Sequence, residues 1–323
     1  MVISLVILAI SSSFAVKSVE KIIEITGLGE LSVGFILLAI LTSTPEILVA
    51  LFSVNEGAAG FSIGNILGSN IFNIAGIVGI LGVLGFLKLC CTNLLLDLSD
   101  MVFITSAIPL ILVIFGVLSP VIGVILFAAF IIFNIYLYKQ RTPTIESTPV
   151  LKRQAIVEGG VCQLTERKCE EKKKYTKKEI TITVLILVIG FIGVVFSSEY
   201  VVISGLDIAS QLGAPPILIG AKIVSIGTSL PELTTSFQAA RIGRVQLAIG
   251  NILGSNLSNI TLILGLTLVT TPFAADINIF TQILPFLLIS TIIFWRYIAR
   301  GSISRVGGGL LLGTLVLFQI LVI

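Results

Sequence analysis

The sequence contains no histidine and carries little charge. Asp, Glu, Lys and Arg make up 11% of its 323 residues, whereas a soluble protein has about 25% charged residues. The missing histidine argues against a His-ligated metal centre and against a Ser-His-Asp hydrolase. Apolar runs of roughly 18 or more residues recur from end to end, which is typical of transmembrane helices. The composition therefore predicts an all-α polytopic membrane protein.

Cysteine is also scarce, with four residues at Cys90, Cys91, Cys162 and Cys169. Two of them are adjacent and the other two fall in a basic segment, so neither a disulfide framework nor a two-cysteine zinc site is expected. The N-terminal run MVISLVILAI has no basic residue before it and no small-residue cleavage pattern after it. This indicates a first membrane span rather than a signal peptide.

Ten spans of about 20 residues each fit the apolar pattern. Their approximate limits are 1–26, 31–54, 59–87, 99–117, 119–138, 180–212, 215–240, 245–271, 277–297 and 304–323. The segment 139–179 holds 11 of the 20 Lys and Arg residues and has the composition of a solvated, partly disordered linker. It separates a first five-helix unit, 1–138, from a second, 180–323.

The remaining basic residues predict the orientation in a cell membrane. With the linker in the cytoplasm, Lys222 alone breaks the positive-inside pattern. The residues that follow it are Lys17, Lys21, Lys88, Arg241, Arg244, Arg296, Arg300 and Arg305. Both termini are then expected outside.

The heptad GNILGSN occurs twice, at 64–70 and at 250–256. The surrounding sequence repeats at a constant offset of 186 residues, without a gap, from Gly27 and Gly213 to Ile74 and Ile260. Chance does not hold such a register across two spans. We interpret the chain as a tandem duplication of a five-helix unit, so that ten transmembrane helices form two inverted repeats. Secondary transporters share this arrangement and bind their substrates at the repeat interface.

A polar motif interrupts the second span and its repeat partner, as LTSTPE at 41–46 and GTSLPE at 227–232. Pro45 and Pro231 cannot donate to the carbonyl four residues back, so each frees a backbone oxygen. Such oxygens are tolerated at membrane depth only where they face protein or water. Two hydroxyl residues precede each glutamate by four and three positions, which predicts one shared helical face.

The third span and its partner add a polar stripe beside a GxxxG pair, and such pairs permit close approach of a neighbouring helix. Together, the two motifs predict a site of oxygen ligands only. The side chains are Thr42, Ser43, Glu46, Ser69, Asn73, Thr228, Ser229, Glu232, Ser255 and Asn259. Hard oxygen sets suit Ca²⁺, Na⁺ or Mg²⁺, and flexible coordination by about 6–8 oxygens favours Ca²⁺. The alternative, that these residues only hydrogen-bond neighbouring helices, does not explain two duplicated Pro-Glu pairs.

Lys222 and Glu199 each have an uncharged repeat counterpart. Lys222 corresponds to Ile36 and lies ten residues before Glu232, about 15 Å along a helix. We expect it to snorkel to the outer interface; a fixed charge beside the outer ion pathway is the alternative. Glu199 corresponds to Ser13, and a pathway-lining role is a hypothesis.

LTSTPE and GTSLPE, each followed by GNILGSN and then Asn73 or Asn259, resemble the two alpha-repeats of the cation/Ca²⁺ exchanger superfamily. The resemblance is strongest to its prokaryotic sodium/calcium exchanger branch and covers essentially the whole chain, with the alpha-repeats at 39–73 and 225–259. It implies an antiporter that exchanges Na⁺ for Ca²⁺. No enzymatic activity, cofactor, nucleic acid or obligate protein partner is then expected beyond the two ions and the lipid bilayer.

The resemblance also implies that the side chains named above are ion ligands, together with the backbone carbonyls of Ala39 and Ser225. It implies that spans 1–26 and 180–212 move across a fixed core. Three features depart from the family pattern. Asn259 stands where Asp is common, the first motif begins LTS rather than GTS, and the linker is too short for folded Ca²⁺-sensing domains.

Three alternatives remain open at this stage. An H⁺/Ca²⁺ antiporter on the same fold would use protonation of Glu46 and Glu232 in place of Na⁺ binding. A cation channel would need a continuous pore. An intramembrane hydrolase is the least favoured, because the chain has no His, no paired Asp motif and no GxSxG.

Overall fold

A computed structural model describes residues 1–26, 41–87, 93–114, 119–139, 152–158, 161–167, 176–270 and 277–322. Eleven helices are found in these residues: α1 (Val2–Thr26), α2 (Thr44–Asn55), α3 (Ala59–Val83), α4 (Asn93–Ile114), α5 (Pro120–Lys139), α6 (Lys177–Leu212), α7 (Pro216–Thr228), α8 (Leu230–Arg241), α9 (Val245–Thr270), α10 (Ile277–Ile298) and α11 (Arg305–Leu321). Every span predicted from the sequence overlaps a helix. The first part of the second span lies outside the described residues, and so does Ala39.

Within the described ranges, five helices are long and apolar enough to cross a membrane: α3, α4, α6, α9 and α10. A sixth candidate is the pair α7 and α8, which is bent by 40° at Ser229. Shorter apolar helices or helix portions occur in α1, α2, α5 and α11. The fold is therefore helical and membrane-embedded, as the composition predicted.

The two helices that carry GNILGSN form the centre of the molecule. α3 and α9 are the most buried of the candidate spans, whereas most of α6 faces outward. α7, α2 and α11 pack on α3, and α8, α4 and α5 pack on α9. α1 packs along α6 at the periphery. The polar heptads therefore lie where helices from both halves of the chain meet.

Close approach to α3 depends on glycine. A Cβ atom on Gly64 would collide with the backbone oxygen of Ile217 and lie 2.8 Å from its carbonyl carbon. A Cβ atom on Gly68 would lie 2.7 Å from Ala221 Cα and from Ser225 Oγ. Backbone atoms cannot move aside as a flexible side chain does, so only glycine permits this contact between α3 and α7. The GxxxG prediction is confirmed for this pair.

Both glutamate motifs, LTSTPE and GTSLPE, lie at a break in a helix. Ser43 precedes α2 with φ −82° and ψ 6°, and Ser229 precedes α8 with φ −88° and ψ 8°. A proline follows two residues later in each case, at a helix start where its missing N–H costs no hydrogen bond. The chain therefore starts a new helix at each motif rather than continuing a kinked one.

Three helices contain a π-helical turn: Phe72–Val78 in α3, Gly220–Val224 in α7 and Asn259–Ile263 in α9. Asn73 and Asn259 lie at the start of two of them. An inserted π turn widens the helix locally and is frequent at functional sites.

A β-hairpin interrupts the basic linker. Strands β1 (Lys152–Glu158) and β2 (Val161–Arg167) pair antiparallel, with Glu158 opposite Val161. The all-α prediction did not include it. The sequence signal was present, because Gly159 and Gly160 lie between two short segments that can form strands, and Gly-Gly is typical of a two-residue hairpin loop.

We expect Gly64→Ala to lower the thermal stability of the purified protein, at the upper end of the roughly 1–3 kcal/mol typical of overpacking. The reason is the collision with the Ile217 backbone. Gly313→Ala in α11 is the matched control, because nothing lies within 4 Å of a Cβ atom there. Equal melting temperatures for the two variants would contradict the close contact of α3 with α7.

Candidate functional site

The predicted site residues come together at the centre of the bundle. Eleven of the twelve lie in the described residues, and each of the eleven has a relative exposure of 0%. They are Thr42, Ser43, Glu46, Ser69, Asn73, Ser225, Thr228, Ser229, Glu232, Ser255 and Asn259. Complete burial of so many polar groups in a membrane bundle requires that they satisfy one another or a bound ligand.

Each glutamate lies in the first turn of a helix, Glu46 in α2 and Glu232 in α8. The unpaired N–H groups and the dipole at a helix N-terminus favour a negative charge. One hydroxyl group that reaches each carboxylate comes from the other half of the chain. Ser229 Oγ donates to Glu46 Oε1 at 3.1 Å, and Ser43 Oγ donates to Glu232 Oε1 at 3.5 Å.

This exchange of partners corrects one prediction. The expected helical face shared by each glutamate and its preceding hydroxyls assumes an unbroken helix, but the helix breaks at Ser43 and at Ser229. The break turns each serine toward the glutamate of the other motif. Ser255 in α9 joins the same cluster, since its hydroxyl lies 2.8 Å from Ser43 Oγ and donates to Glu232 Oε1 at 3.3 Å.

The threonine of each motif donates a hydrogen bond to an asparagine in the other half of the chain. Thr42 Oγ1 donates to Asn251 Oδ1 at 3.3 Å, and Thr228 Oγ1 donates to Asn65 Oδ1 at 3.2 Å. These two asparagines are the second residues of the two heptads. Thr228 Oγ1 also lies 3.4 Å from Ser69 Oγ, so α3 directly contacts the helix break between α7 and α8.

The carbonyl group of Ser225, a predicted ligand, also takes part in the hydrogen bonds of the helix break. Its carbonyl oxygen already accepts from Ser229 N at 3.2 Å and from Thr228 Oγ1 at 3.3 Å. Its side-chain hydroxyl donates to Ala221 O at 2.6 Å. The geometry therefore gives this carbonyl a part in shaping the helix break, in addition to any contact with an ion.

Four buried oxygen atoms in the cluster have no hydrogen-bond partner among the described residues. They are Glu46 Oε2, Glu232 Oε2, Asn73 Oδ1 and Asn259 Oδ1. They form two repeat-related pairs, and all four are acceptors. A buried acceptor without a donor is costly, so the arrangement calls for a cation or for protons.

The sequence analysis missed four asparagines of this site. Asn65, Asn70, Asn251 and Asn256 belong to the GNILGSN heptads, are at most 1% exposed and hydrogen-bond across the repeat. Their signal was the exact repetition of polar residues inside apolar spans. The sequence analysis took only the serine of each heptad and the asparagine that follows the heptad as site residues, whereas Asn70 and Asn256 contact each other.

Lys222 lies apart from the cluster. Its ammonium group donates to Gln319 O at 3.0 Å, and Gln319 Nε2 donates back to Lys222 O at 3.4 Å. Gln319 is in the last turn of α11, where carbonyl groups lack intrahelical donors and a cation is favoured. The structure thus shows a partner that neither hypothesis for Lys222 included. Glu199 is exposed on α6.

A family model described as sodium/calcium exchanger protein matches residues 1–139 and 182–323, which is most of the chain. The chain belongs to the sodium/calcium exchanger family. It is 29% identical over 348 residues to the sodium/calcium exchanger MaX1 of Methanosarcina acetivorans, with 99% of this chain and 96% of that protein covered. The inner membrane protein YrbG of Escherichia coli is 36% identical over 138 residues, which cover 43% of this chain and only 42% of YrbG.

Solved structures share the fold. The sodium-calcium exchanger NCX_Mj, soaked with 100 mM Na⁺ and 10 mM Sr²⁺, superposes with a TM-score of 0.64 at 25% identity, covering 98% of this chain and 95% of that one. Native YfkE superposes with a TM-score of 0.70 at 17% identity, over 99% and 90% of the two chains. The family consists of transporters for cation/Ca²⁺ exchange.

We expect Lys222→Ala to leave Ca²⁺ transport intact and to lower thermal stability by about 1 kcal/mol, because a charge-assisted hydrogen bond at a partly exposed site is lost. Lys178→Ala, at an exposed position of α6, is the control for removal of a positive charge. Loss of transport in a stable Lys222→Ala protein would place this lysine in the ion pathway instead.

Proposed function

We propose that this protein is a secondary active antiporter that exchanges Na⁺ for Ca²⁺ and binds both ions between its two repeats. The observation that carries the proposal is a set of four buried acceptor oxygens, on Glu46, Glu232, Asn73 and Asn259, for which the described part of the chain supplies no donor. Carboxylate and amide oxygens are the ligands that Ca²⁺ and Na⁺ prefer. The hydroxyls of Thr42, Ser43, Ser69, Thr228, Ser229 and Ser255 surround these oxygens and complete the proposed ligand set.

Charge supports the same reading of the site. Each glutamate accepts from the serine that lies three residues before the other glutamate, so the two carboxylates share one cluster, and their hydrogen-bond partners are neutral hydroxyls. Two ionised carboxylates at membrane depth need compensation. One Ca²⁺ supplies two positive charges and so neutralises both.

Protonation of the glutamates is the second candidate, because a carboxylic acid also removes the negative charge from Oε2. An H⁺/Ca²⁺ antiporter would work in this way. The density of hydroxyl groups around the glutamates favours Na⁺, since hydroxyls are small oxygen ligands that a proton does not need. The Na⁺ mechanism is therefore the proposal and the H⁺ mechanism is an outcome of its test.

The repeat arrangement is part of the proposal. Reciprocal hydrogen bonds join residues exactly 186 positions apart, as in Asn70 Nδ2 to Asn256 O at 3.3 Å and Asn256 Nδ2 to Asn70 O at 3.2 Å. Such reciprocity is what a two-fold axis relating two inverted five-helix units produces. It supports the division into 1–138 and 180–323 around the linker 139–179.

A cavity between α1 and α8 supports a gating role for the peripheral helices. It has a volume of about 260 Å³ and is lined by Ser13, Lys17, Leu230 and Thr234, among others. Leu230 directly follows Ser229, which donates to Glu46. We infer that movement of α1 and α6 across the core opens and closes routes of this kind, which is alternating access.

The positions of basic residues support an orientation. Phe86 packs against Phe237 with ring centroids 5.8 Å apart, and Ile303 N donates to Leu87 O at 3.3 Å. The ends of α3, α8 and α10 therefore meet, and this end carries Arg241, Arg244, Arg296, Arg300 and Arg305. By the positive-inside rule, we place this end and the linker in the cytoplasm and both termini outside.

The coupling ion is tested by ⁴⁵Ca²⁺ uptake into proteoliposomes that contain the purified protein. We expect uptake under an imposed outward Na⁺ gradient and little uptake under a pH gradient alone, because Na⁺ is proposed to occupy the site. Uptake driven by the pH gradient without Na⁺ would favour the H⁺/Ca²⁺ antiporter. Uptake that needs no opposing gradient would indicate a channel.

Glu46→Gln and Glu232→Gln should each abolish Ca²⁺ transport while the protein stays folded. Each change removes half of the charge that balances Ca²⁺ and keeps the size of the side chain. Glu199→Gln is the matched control, since it makes the same chemical change at an exposed position and should transport normally. Near-normal flux in either site variant would refute the ion site.

A further inference from the structure

The last residue of each heptad lies at the contact between the two halves of the chain. The side-chain amide nitrogens of Asn70 and Asn256 donate to each other's backbone carbonyl oxygens at 3.3 and 3.2 Å. Both residues are at most 1% exposed. Neither supplies one of the four unpartnered oxygens, because both amide oxygens accept hydrogen bonds from other asparagines.

These two bonds fix the orientation of both amide groups. A backbone carbonyl oxygen only accepts, so the NH₂ end of each side chain must face it. The oxygen end of each side chain must then point the other way. Asn70 Oδ1 accepts from Asn259 Nδ2 at 2.9 Å, and Asn256 Oδ1 accepts from Asn73 Nδ2 at 2.9 Å.

The orientation of Asn70 and Asn256 determines that of the amides of Asn259 and Asn73. Because Asn259 and Asn73 must present nitrogen to Asn70 and Asn256, their own oxygens face away. Those oxygens are Asn259 Oδ1 and Asn73 Oδ1, two of the four buried acceptors without a donor. A flipped amide at either position would place two oxygens against each other and turn NH₂ toward the cation.

We propose that Asn70 and Asn256 are positioning residues that set the amide orientation of Asn259 and Asn73 and thereby present an oxygen to the transported cation. The inference rests on the proposed function of this site. Asn70 of the first half orients Asn259 of the second, and Asn256 of the second half orients Asn73 of the first. The network therefore couples the two halves. Groups that orient a metal ligand typically change metal affinity roughly 10- to 100-fold when removed.

The network also gives a reason for asparagine at position 259. An amide satisfies Asn70 Oδ1 with its N–H group while its oxygen remains for the cation, and it does so without titrating. An ionised carboxylate there would place an acceptor against Asn70 Oδ1 at the present 2.9 Å distance. The amide keeps the charge of the empty site at two negative units and the orientation of Asn70 unchanged.

A double-mutant cycle tests the proposal by Ca²⁺ binding to the purified full-length protein, measured by calorimetry. We expect Asn70→Leu, which keeps the number and branching of the side-chain heavy atoms, to raise the Kd roughly 10- to 100-fold. In an Asn259→Ala background the same change should have no further effect, because its target is gone. In an Asn73→Ala background its effect should persist, because Asn73 is oriented by Asn256.

Ser62→Ala is the matched control. Ser62 is buried on the same helix and hydrogen-bonds to Thr267 at 3.0 Å across a helix contact, but it orients no ligand. It should lower thermal stability and leave the Kd unchanged. A purely structural role for Asn70 would raise the Kd equally in the Asn259→Ala and Asn73→Ala backgrounds, and that result would overturn the proposal.

The failures of the two proposals are distinguishable. Wild-type protein that binds no Ca²⁺ refutes the proposed function, whereas wild-type binding with an unchanged Kd for Asn70→Leu refutes only the positioning role. If Asn70→Leu is recovered unfolded, the mirror cycle of Asn256→Leu with Asn73→Ala gives the same decision.

Discussion

The burial of two carboxylates in one polar cluster is the constraint on which the rest of this structure depends. Glu46 and Glu232 lie at full burial between apolar helices, where an ionised group is costly. The helix breaks bring a helix N-terminus to each of them, and serine hydroxyls reach them from the opposite half of the chain. Glycines at the surface of α3 let the helices approach closely enough for these short side chains to meet.

Much of this architecture follows from the sequence because repetition and hydropathy are local signals. The apolar runs located the helices, and the constant offset of 186 residues identified Glu46 and Glu232 as equivalents. Burial of the eleven described site residues was predictable for the same reason. A polar residue that recurs at the same place in two apolar spans has no favourable position on a lipid-facing surface.

The hydrogen-bond partners were not predictable in the same way. Sequence spacing relates Ser43 to Glu46 only if the helix continues, whereas the partner of Ser43 is Glu232, which lies 189 positions away. The exchange depends on how two broken helices cross, and this is a property of the packed bundle. Asn70 and Asn256 were missed because each donates to the backbone of the other, and a sequence pattern does not show such a contact. The hairpin of the linker was missed because the high charge of the segment was given more weight than its Gly-Gly pair.

The choice of an amide at position 259 has an electrical consequence. With both glutamates ionised, the site loaded with one Ca²⁺ is neutral, and a membrane voltage does no work on its movement. A load of n monovalent cations carries a net charge of n − 2, and each unit is worth about 2.3 kcal/mol per 100 mV. In the proposed antiporter, the voltage therefore acts on the monovalent half of the cycle alone. Only a load of two such ions makes exchange electrically silent.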